Sequence, residues 1–182
     1  MQIENLDPDH LEARRLISDL DADLIMRYPG EVPHGIDAVE FRAANGYFAV
    51  LREAGDLPAV ACGAFRPVRS DCVEIKRMYV AAGFRGQGYA KAILYHLEKI
   101  ALERGFTTFV LETGIKQPEA IGLYRRLGYF GIPAYGEYVE NPNSVCFQKR
   151  PAVDATTPSA YGSLTHGNLR SPPSPQPASE KR

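Results

Sequence analysis

The feature that most restricts the fold is a glycine-rich turn, Arg85-Gly86-Gln87-Gly88-Tyr89-Ala90, which lies between a strand-like run and an amphipathic helix. Glycine lets the backbone turn tightly and leaves neighbouring amide N–H groups uncovered. The helix that begins at this turn adds unpaired N–H donors and the positive end of its dipole. The turn therefore predicts a site for a phosphate or a pyrophosphate, with Arg85 as an additional positive charge.

The spacing of these glycines excludes two common phosphate sites. A P-loop requires Gly-Lys-Ser/Thr after its spacer, but Gly88 is followed by Tyr89 and Ala90. A dinucleotide fingerprint requires Gly-x-Gly-x-x-Gly/Ala, but the third position counted from Gly86 is Lys91. On spacing alone, an ordinary connection between a strand and a helix remains an equal alternative.

Hydrophobic periodicity, together with glycine and proline positions, predicts the elements on both sides of the turn. In chain order they are helices over Pro8–Met26 and Asp37–Ala44, strands over Tyr47–Arg52, Ala59–Phe65 and Cys72–Val80, a helix from Tyr89 that ends near Gly105, a strand over Thr107–Thr113, a helix over Pro118–Leu127 and a strand over Ser144–Arg150. On the helix after the turn, Glu98 falls outside the apolar face. This order predicts an α/β layered domain with helices on both faces of a mixed sheet.

The composition changes after residue 150, where apolar periodicity stops and Pro, Ser, Thr, Gly and Ala dominate. Such a segment cannot bury enough apolar surface to offset its ordering entropy. We therefore predict one domain over residues 1–150 and a disordered Pro/Ser-rich tail over residues 151–182.

Charge, cysteine content and hydropathy exclude several classes of function. The 182 residues carry 21 Lys and Arg against 22 Asp and Glu. The chain therefore lacks the surplus of basic residues that is typical of nucleic-acid-binding proteins. Three scattered cysteines without CxxC spacing predict reduced thiols and no metal site. The lack of a signal-like start and of an apolar run of about 18 residues predicts a cytoplasmic protein without a membrane partner. The sequence permits a homodimer without requiring one.

Three blocks of sequence follow one another with a recognisable spacing. They are Glu74–Val80 (EIKRMYV), Arg85–Ala90 (RGQGYA) and Glu119–Tyr129 (EAIGLYRRLGY). They resemble, in turn, the fourth strand, the Gln/Arg-x-x-Gly-x-Gly/Ala acetyl-CoA loop and the last helix of the GNAT superfamily of N-acetyltransferases. The resemblance covers most of residues 1–150, and the first fifty residues resemble only the general layout.

The resemblance implies acetyl-CoA as co-substrate and a mixed, mostly antiparallel central sheet with helices on both faces. In that fold the fourth and fifth strands splay apart, and the pantetheine arm of the cofactor fills the gap. Backbone groups of Met78 and Val80, with Tyr79 between them, would hold that arm, and the amides of Arg85–Ala90 would bind the pyrophosphate. A strand bulge would aim one amide at the acetyl carbonyl. Gln117 stands where the family often has an asparagine that contacts the cofactor.

The resemblance also implies catalytic residues. Tyr124 matches the family tyrosine that often protonates the departing CoA thiolate, and a core tyrosine is the structural alternative. Glu74 and Glu112 lie on the strands where related enzymes often place a general base, and both stay open as candidates. Glu74 shares a strand face with Lys76 and is alternatively a paired charge. An amine that arrives neutral needs no strong base.

The acceptor side is implied less specifically. In this family the loop after the first helix often lines the acceptor pocket, so Arg27, Tyr28 and His34 are candidates for binding a carboxylate-bearing substrate. Tyr135, Tyr138 and Asn141-Pro142 are candidates for the opposite wall. The leading hypothesis is direct transfer, in a ternary complex, of an acetyl group to the primary amine of a small, amino-acid-like molecule. The alternatives are a protein lysine or N-terminal acetyltransferase and a non-catalytic acyl-CoA-binding module.

Overall fold

The computed structural model describes residues 1–33 and 35–151. His34 and the predicted tail beyond Pro151 lie outside the described residues. The elements are β1 (Gln2–Asn5), α1 (Leu11–Arg27), α2 (Ala38–Ala43), β2 (Tyr47–Arg52), β3 (Ala61–Arg69), β4 (Cys72–Val80), α3 (Tyr89–Glu103), β5 (Thr108–Gly114), α4 (Pro118–Arg126), β6 (Phe130–Ile132) and β7 (Ser144–Lys149). Short 3₁₀ helices cover Ala82–Phe84 and Gly136–Tyr138.

The strands of the described residues form one sheet in the order β1-β2-β3-β4-β5-β7-β6. β4 and β5 run parallel, and the other neighbouring pairs run antiparallel. A parallel pair requires a crossover connection, and α3 supplies it. The mixed, mostly antiparallel sheet expected from the sequence is confirmed.

Helices cover both faces of the sheet because apolar side chains alternate along its strands. In β2, Phe48 and Val50 are buried in the layer that contains α1 and α2, whereas Ala49 and Leu51 are buried in the layer that contains α3 and α4. Full burial of an apolar side chain contributes roughly 1.5–3 kcal/mol. Both layers therefore hold their helices firmly against the sheet.

A bulge bends β4 near its end. Ala64 of β3 pairs with Lys76, but Cys62 pairs with Tyr79, so β4 contains one more residue than β3 across this interval. Arg77 lies in the bulge with a φ of 57°, a left-handed conformation that is uncommon outside glycine. Bulges of this kind redirect the strand and its side chains.

The parallel pairing of β4 with β5 ends early. It runs from Cys72 and Thr108 only as far as Ile75 and Leu111. The last residues of β4 continue to pair with β3, and the last residues of β5 continue to pair with β7. A gap therefore opens between the two central strands, at the end of the sheet where α3 and α4 begin.

Several elements differ from the sequence prediction. β1 and β6 were not predicted, because strands of four and three residues are too short to show a two-residue period. β3 covers Ala61–Arg69 instead of Ala59–Phe65. Ala59 and Val60 precede the strand but are buried. Their apolar side chains therefore look like part of the strand in the sequence.

Glu98 is buried, contrary to its predicted place outside the apolar face of α3. Its carboxylate accepts a hydrogen bond of 2.9 Å from the Tyr129 hydroxyl and pairs with Lys149 at 2.7 Å. Both partners lie far from Glu98 in sequence. The ion pair and hydrogen bond make the burial of this charge tolerable.

Candidate functional site

Two adjoining cavities lie at the gap between β4 and β5. The inner cavity, about 140 Å³, is lined by the second half of α1, residues 31–33, the end of β5 and residues of the 138–143 segment. The long groove, about 680 Å³, is lined by the end of β4, the glycine turn, the start of α3 and one side of α4. The residues that line both are Leu20, Met78, Gln117, Ala120 and Tyr124. The two cavities therefore meet at these five residues.

The glycine turn leaves amide donors facing the long groove. Gly86 and Gly88 have φ values of 79° and 86°, which glycine adopts without steric cost. Gly88 is the N-cap of α3, and no side chain caps the helix. The first amide N–H groups of α3 therefore lack partners within the helix. This arrangement fits the pyrophosphate that the sequence predicts there.

Most of the residues expected around the cofactor line the long groove, namely Met78, Tyr79, Val80, Arg85, Gly86, Gly88, Tyr89, Ala90 and Gln117. Gln87 does not line it, and its carboxamide oxygen accepts a hydrogen bond of 3.2 Å from the Tyr89 hydroxyl. The Arg85 guanidinium donates to the Val80 carbonyl at 3.0 Å and lies 3.3 Å from Asp23. Arg85 therefore braces the turn as well as adding positive charge to it.

The side-chain oxygen of Gln117 is already used within the chain. It accepts hydrogen bonds of 2.9 Å from the Gly114 amide and 3.2 Å from the Thr113 hydroxyl. These bonds hold the end of β5 against the start of α4. Because an amide oxygen and an amide nitrogen are separate groups, the nitrogen of Gln117 is the part that can contact a molecule in either cavity.

Tyr124 lies on α4 at the junction of the two cavities and is only 4% exposed. Its ring packs against Tyr129 and Phe147, with centroid distances of 5.8 and 6.3 Å. Burial raises the pKa of Tyr124, and the nearby Glu112 carboxylate raises it further. The phenol therefore keeps its proton at neutral pH, which is the form that can donate.

Glu112 lies near the end of β5 and lines the inner cavity. Its carboxylate accepts a hydrogen bond of 2.6 Å from the Ser144 hydroxyl on β7. It is close enough to Tyr124 to affect the pKa of that phenol. The structure therefore brings together two of the three predicted catalytic side chains.

The third, Glu74, lines neither cavity and is 1% exposed. One carboxylate oxygen lies 2.6 Å from Arg66 and 3.6 Å from Lys76, and the other accepts hydrogen bonds from Tyr138 at 2.7 Å and Tyr135 at 3.3 Å. Burial alone raises the pKa of Glu74, but the two cations and the Tyr138 hydroxyl outweigh it and hold that pKa below its ordinary value. The expectation that Glu74 is a catalytic base does not fit this position, since its oxygens are occupied.

The residues predicted to bind the acceptor do not all lie at the same cavity. Arg27 lines the long groove instead of the inner cavity, and its guanidinium pairs with Glu119 at 2.6 Å. Tyr28 lines the inner cavity, and its hydroxyl accepts a hydrogen bond of 2.8 Å from the Lys116 amide. His34 lies outside the described residues. Of the two candidates that the structure describes, Tyr28 has the location that the sequence suggested.

The inner cavity is also lined by residues to which the sequence analysis assigned no role in the site. Tyr138 and Asn141 line it, as expected for the opposite wall, but so do Lys76 and Glu31. The sequence treated Lys76 only as a partner of Glu74. Its two-residue spacing from Glu74 was the signal that it shares the polar face of β4.

Metal and membrane features are absent from the described part of the chain. Within residues 1–33 and 35–151, His, Cys, Asp and Glu side chains do not gather into groups of three that suit a metal ion. In the same residues, helices long and apolar enough to cross a bilayer are not found. The cysteines Cys62, Cys72 and Cys146 are buried free thiols.

The sequence profile of the acetyltransferase (GNAT) family matches residues 14–129. An IAA acetyltransferase from Azospirillum brasilense is 32% identical over 136 residues, which are 74% of this chain and 88% of the relative. The solved structure of an acyl-CoA N-acyltransferase from Klebsiella pneumoniae is 32% identical, with a TM-score of 0.69. The match covers 82% of this chain and 96% of that protein. A GNAT family acetyltransferase from Elizabethkingia anophelis, solved with acetyl-CoA bound, shares the fold at 15% identity and a TM-score of 0.60. The match covers 82% of this chain and 97% of that protein.

Proposed function

This chain belongs to the acetyltransferase (GNAT) family, whose members are acetyl-CoA-dependent N-acetyltransferases, and we propose that its acceptor is the primary amine of a small, amino-acid-like molecule. The observation that carries the proposal is the meeting of the long groove with a narrow inner cavity at Tyr124 and Met78. A cavity of about 140 Å³ favours a compact acceptor over a peptide segment.

The donor, acetyl-CoA, would lie in the long groove. The uncovered amides after Gly88 would bind its pyrophosphate, and the separated ends of β4 and β5 would receive its pantetheine arm. The bulge at Arg77 redirects the backbone next to Met78, where both cavities meet. A backbone amide in this region would stabilise the negative charge that develops on the acetyl carbonyl oxygen.

Transfer then follows in the ternary complex. The amine nitrogen bonds to the acetyl carbonyl carbon, and the carbon–sulfur bond to CoA breaks. Glu112 accepts the proton that the amine loses, and the Tyr124 hydroxyl donates a proton to the departing thiolate. Solvent returns the proton from Glu112 to Tyr124. The raised pKa of Tyr124, caused by burial and then by Glu112, keeps the donor protonated beforehand.

The test is release of free CoA thiol from acetyl-CoA in the presence of a panel of small amines, peptides and intact proteins. We expect turnover with small amines, and replacement Glu112→Gln should lower kcat by about 10²- to 10⁴-fold. Glu103→Gln, an exposed carboxylate on α3, is the matched control and should leave kcat unchanged. Acetylation of peptides or proteins alone would refute the proposed acceptor class.

A further inference from the structure

Lys76 is a largely buried cation in the wall of the inner cavity. It lies on β4 immediately before the bulge, and its side chain is only 9% exposed. It lines the same cavity as Glu112, Tyr28 and Tyr138. Lysine is rarely buried to this extent without a close partner. A cation in this position therefore needs an explanation.

The carboxylate of Glu74 is only a partial partner for the Lys76 ammonium. The distance from the Lys76 ammonium to Glu74 is 3.6 Å, longer than a hydrogen bond. Glu74 is already paired with Arg66 at 2.6 Å and accepts hydrogen bonds from two tyrosine hydroxyls. One carboxylate thus faces two cations. Among the described residues, no other carboxylate lies within 4.0 Å of the Lys76 ammonium.

Of the other charged residues that line the inner cavity, Arg77 is paired with Asp21, and the other two are carboxylates. Glu112 and Glu31 line it together with Lys76. Glu31 is hydrogen-bonded to Asn143, so it is held by its own wall of the cavity. A molecule that places an amine near Glu112 and an anion near Lys76 would match both charges. Charge-assisted hydrogen bonds of this kind are shorter and stronger than neutral ones.

We propose that Lys76 binds a carboxylate of the acceptor and thereby makes the enzyme selective for amines that carry an acidic group. The inference rests on the proposed function and adds the residue that selects the substrate. It assigns to Lys76 the role that the sequence suggested for Arg27, whose guanidinium is paired with Glu119 beside the other cavity. Burial lowers the pKa of Lys76 and Glu74 opposes this, which agrees with an ammonium that is incompletely paired in the free enzyme.

The experiment compares amino acids with their carboxamides, which keep the amine but replace the carboxylate with a neutral group. Panels of α-, β- and γ-amino acids allow for different separations of the two groups. For the wild-type enzyme we expect kcat/KM to be about 10- to 100-fold higher for the preferred acid than for its amide, the effect of one charge-assisted hydrogen bond. Lys76→Met should abolish this preference and retain activity on the amide. Lys76→Arg should retain part of the preference.

Lys99→Met, on an exposed part of α3, is the matched control and should retain the full preference. An unchanged acid-to-amide ratio in Lys76→Met would overturn the inference. If Lys76→Met fails to fold, a competition assay replaces it. Simple carboxylates are added to the amide acceptor, and their inhibition of the wild type is compared with that of Lys76→Arg. Absence of inhibition refutes the binding of a carboxylate by Lys76. Equal turnover of acids and amides by the wild type rejects only the role of Lys76. Failure to acetylate any small amine rejects the proposed function itself.

Discussion

Replacing Glu74 with glutamine distinguishes a structural carboxylate from a catalytic one. Glutamine keeps the shape of the side chain and an oxygen that accepts hydrogen bonds from Tyr135 and Tyr138, but it removes the charge that Arg66 and Lys76 face. Removing one partner from a buried ion pair costs about 3–5 kcal/mol. Because the Arg66 side chain is 38% exposed and the hydrogen bonds to the tyrosines can persist, we expect the free energy of unfolding to fall by an amount near the lower end of this range, about 3 kcal/mol.

A loss of that size corresponds to a fall in Tm of about 6 to 12 °C for a chain of this length. Thermal unfolding followed by circular dichroism measures it, with Glu103→Gln as an exposed control expected to change stability by less than about 0.5 kcal/mol. Below the melting transition, Glu74→Gln should retain its kcat at saturating acceptor. The inner cavity is bordered by Tyr138 and Lys76, so the KM for the acceptor should change instead.

The pH dependence of this loss has a definite sign. The pKa of Glu74 is lowered in the folded state, because the surrounding cations and Tyr138 outweigh the effect of burial. The ionised carboxylate therefore stabilises the fold at neutral pH, and this contribution disappears as the pH falls through the lowered pKa. The difference in stability between the wild type and Glu74→Gln should shrink in acid. An unchanged Tm at pH 7 together with a large loss of kcat would refute this reasoning and identify Glu74 as the base.

Three further predictions test other parts of the structure. Tyr124→Phe should lower kcat with little change in the affinity for acetyl-CoA, which titration calorimetry measures; an unchanged kcat argues against proton donation by this residue. Gly63→Ala should destabilise the fold by about 1–3 kcal/mol in urea denaturation, since a new Cβ would lie 2.6 Å from both Ile93 and Met78; full stability would contradict the tight packing. We propose residues 1–150 as the catalytic domain, so a chain ended after Arg150 should keep its Tm and its affinity for acetyl-CoA, and loss of either places the boundary elsewhere.

The sequence predicted those parts of the fold that depend on local pattern. The bounds of β2 and β4 agree with the prediction, because alternating or continuous apolar runs are bounded there by polar and glycine residues. The start of α3 was predictable because Gly86 and Gly88 adopt left-handed conformations that only glycine tolerates easily. The short edge strands contain too few residues to carry a pattern.

The site was predictable where a motif fixes a position and unpredictable where distant residues decide a role. Tyr124 and Glu112 were both predicted as catalytic candidates, and the structure places both in the lining of the inner cavity. Glu74 could not be assigned from the sequence, because the partners that occupy it are contributed by β3 and by the segment that precedes β7. Arg27 was misplaced for the same reason, since Glu119 lies on α4. Long-range pairing decides whether a charged side chain faces a ligand or another side chain.

The division of the site between separate chain segments has an evolutionary consequence. The long groove is built mainly from residues between Met78 and Lys91 and from α4, whereas the distinctive walls of the inner cavity come from residues 31–33 and 138–143. Substitutions in these two connecting segments can retarget the enzyme to a new amine while the donor chemistry is inherited intact. With the acceptor in the inner cavity as we propose, diversification of these segments together with position 76 should alter acceptor choice.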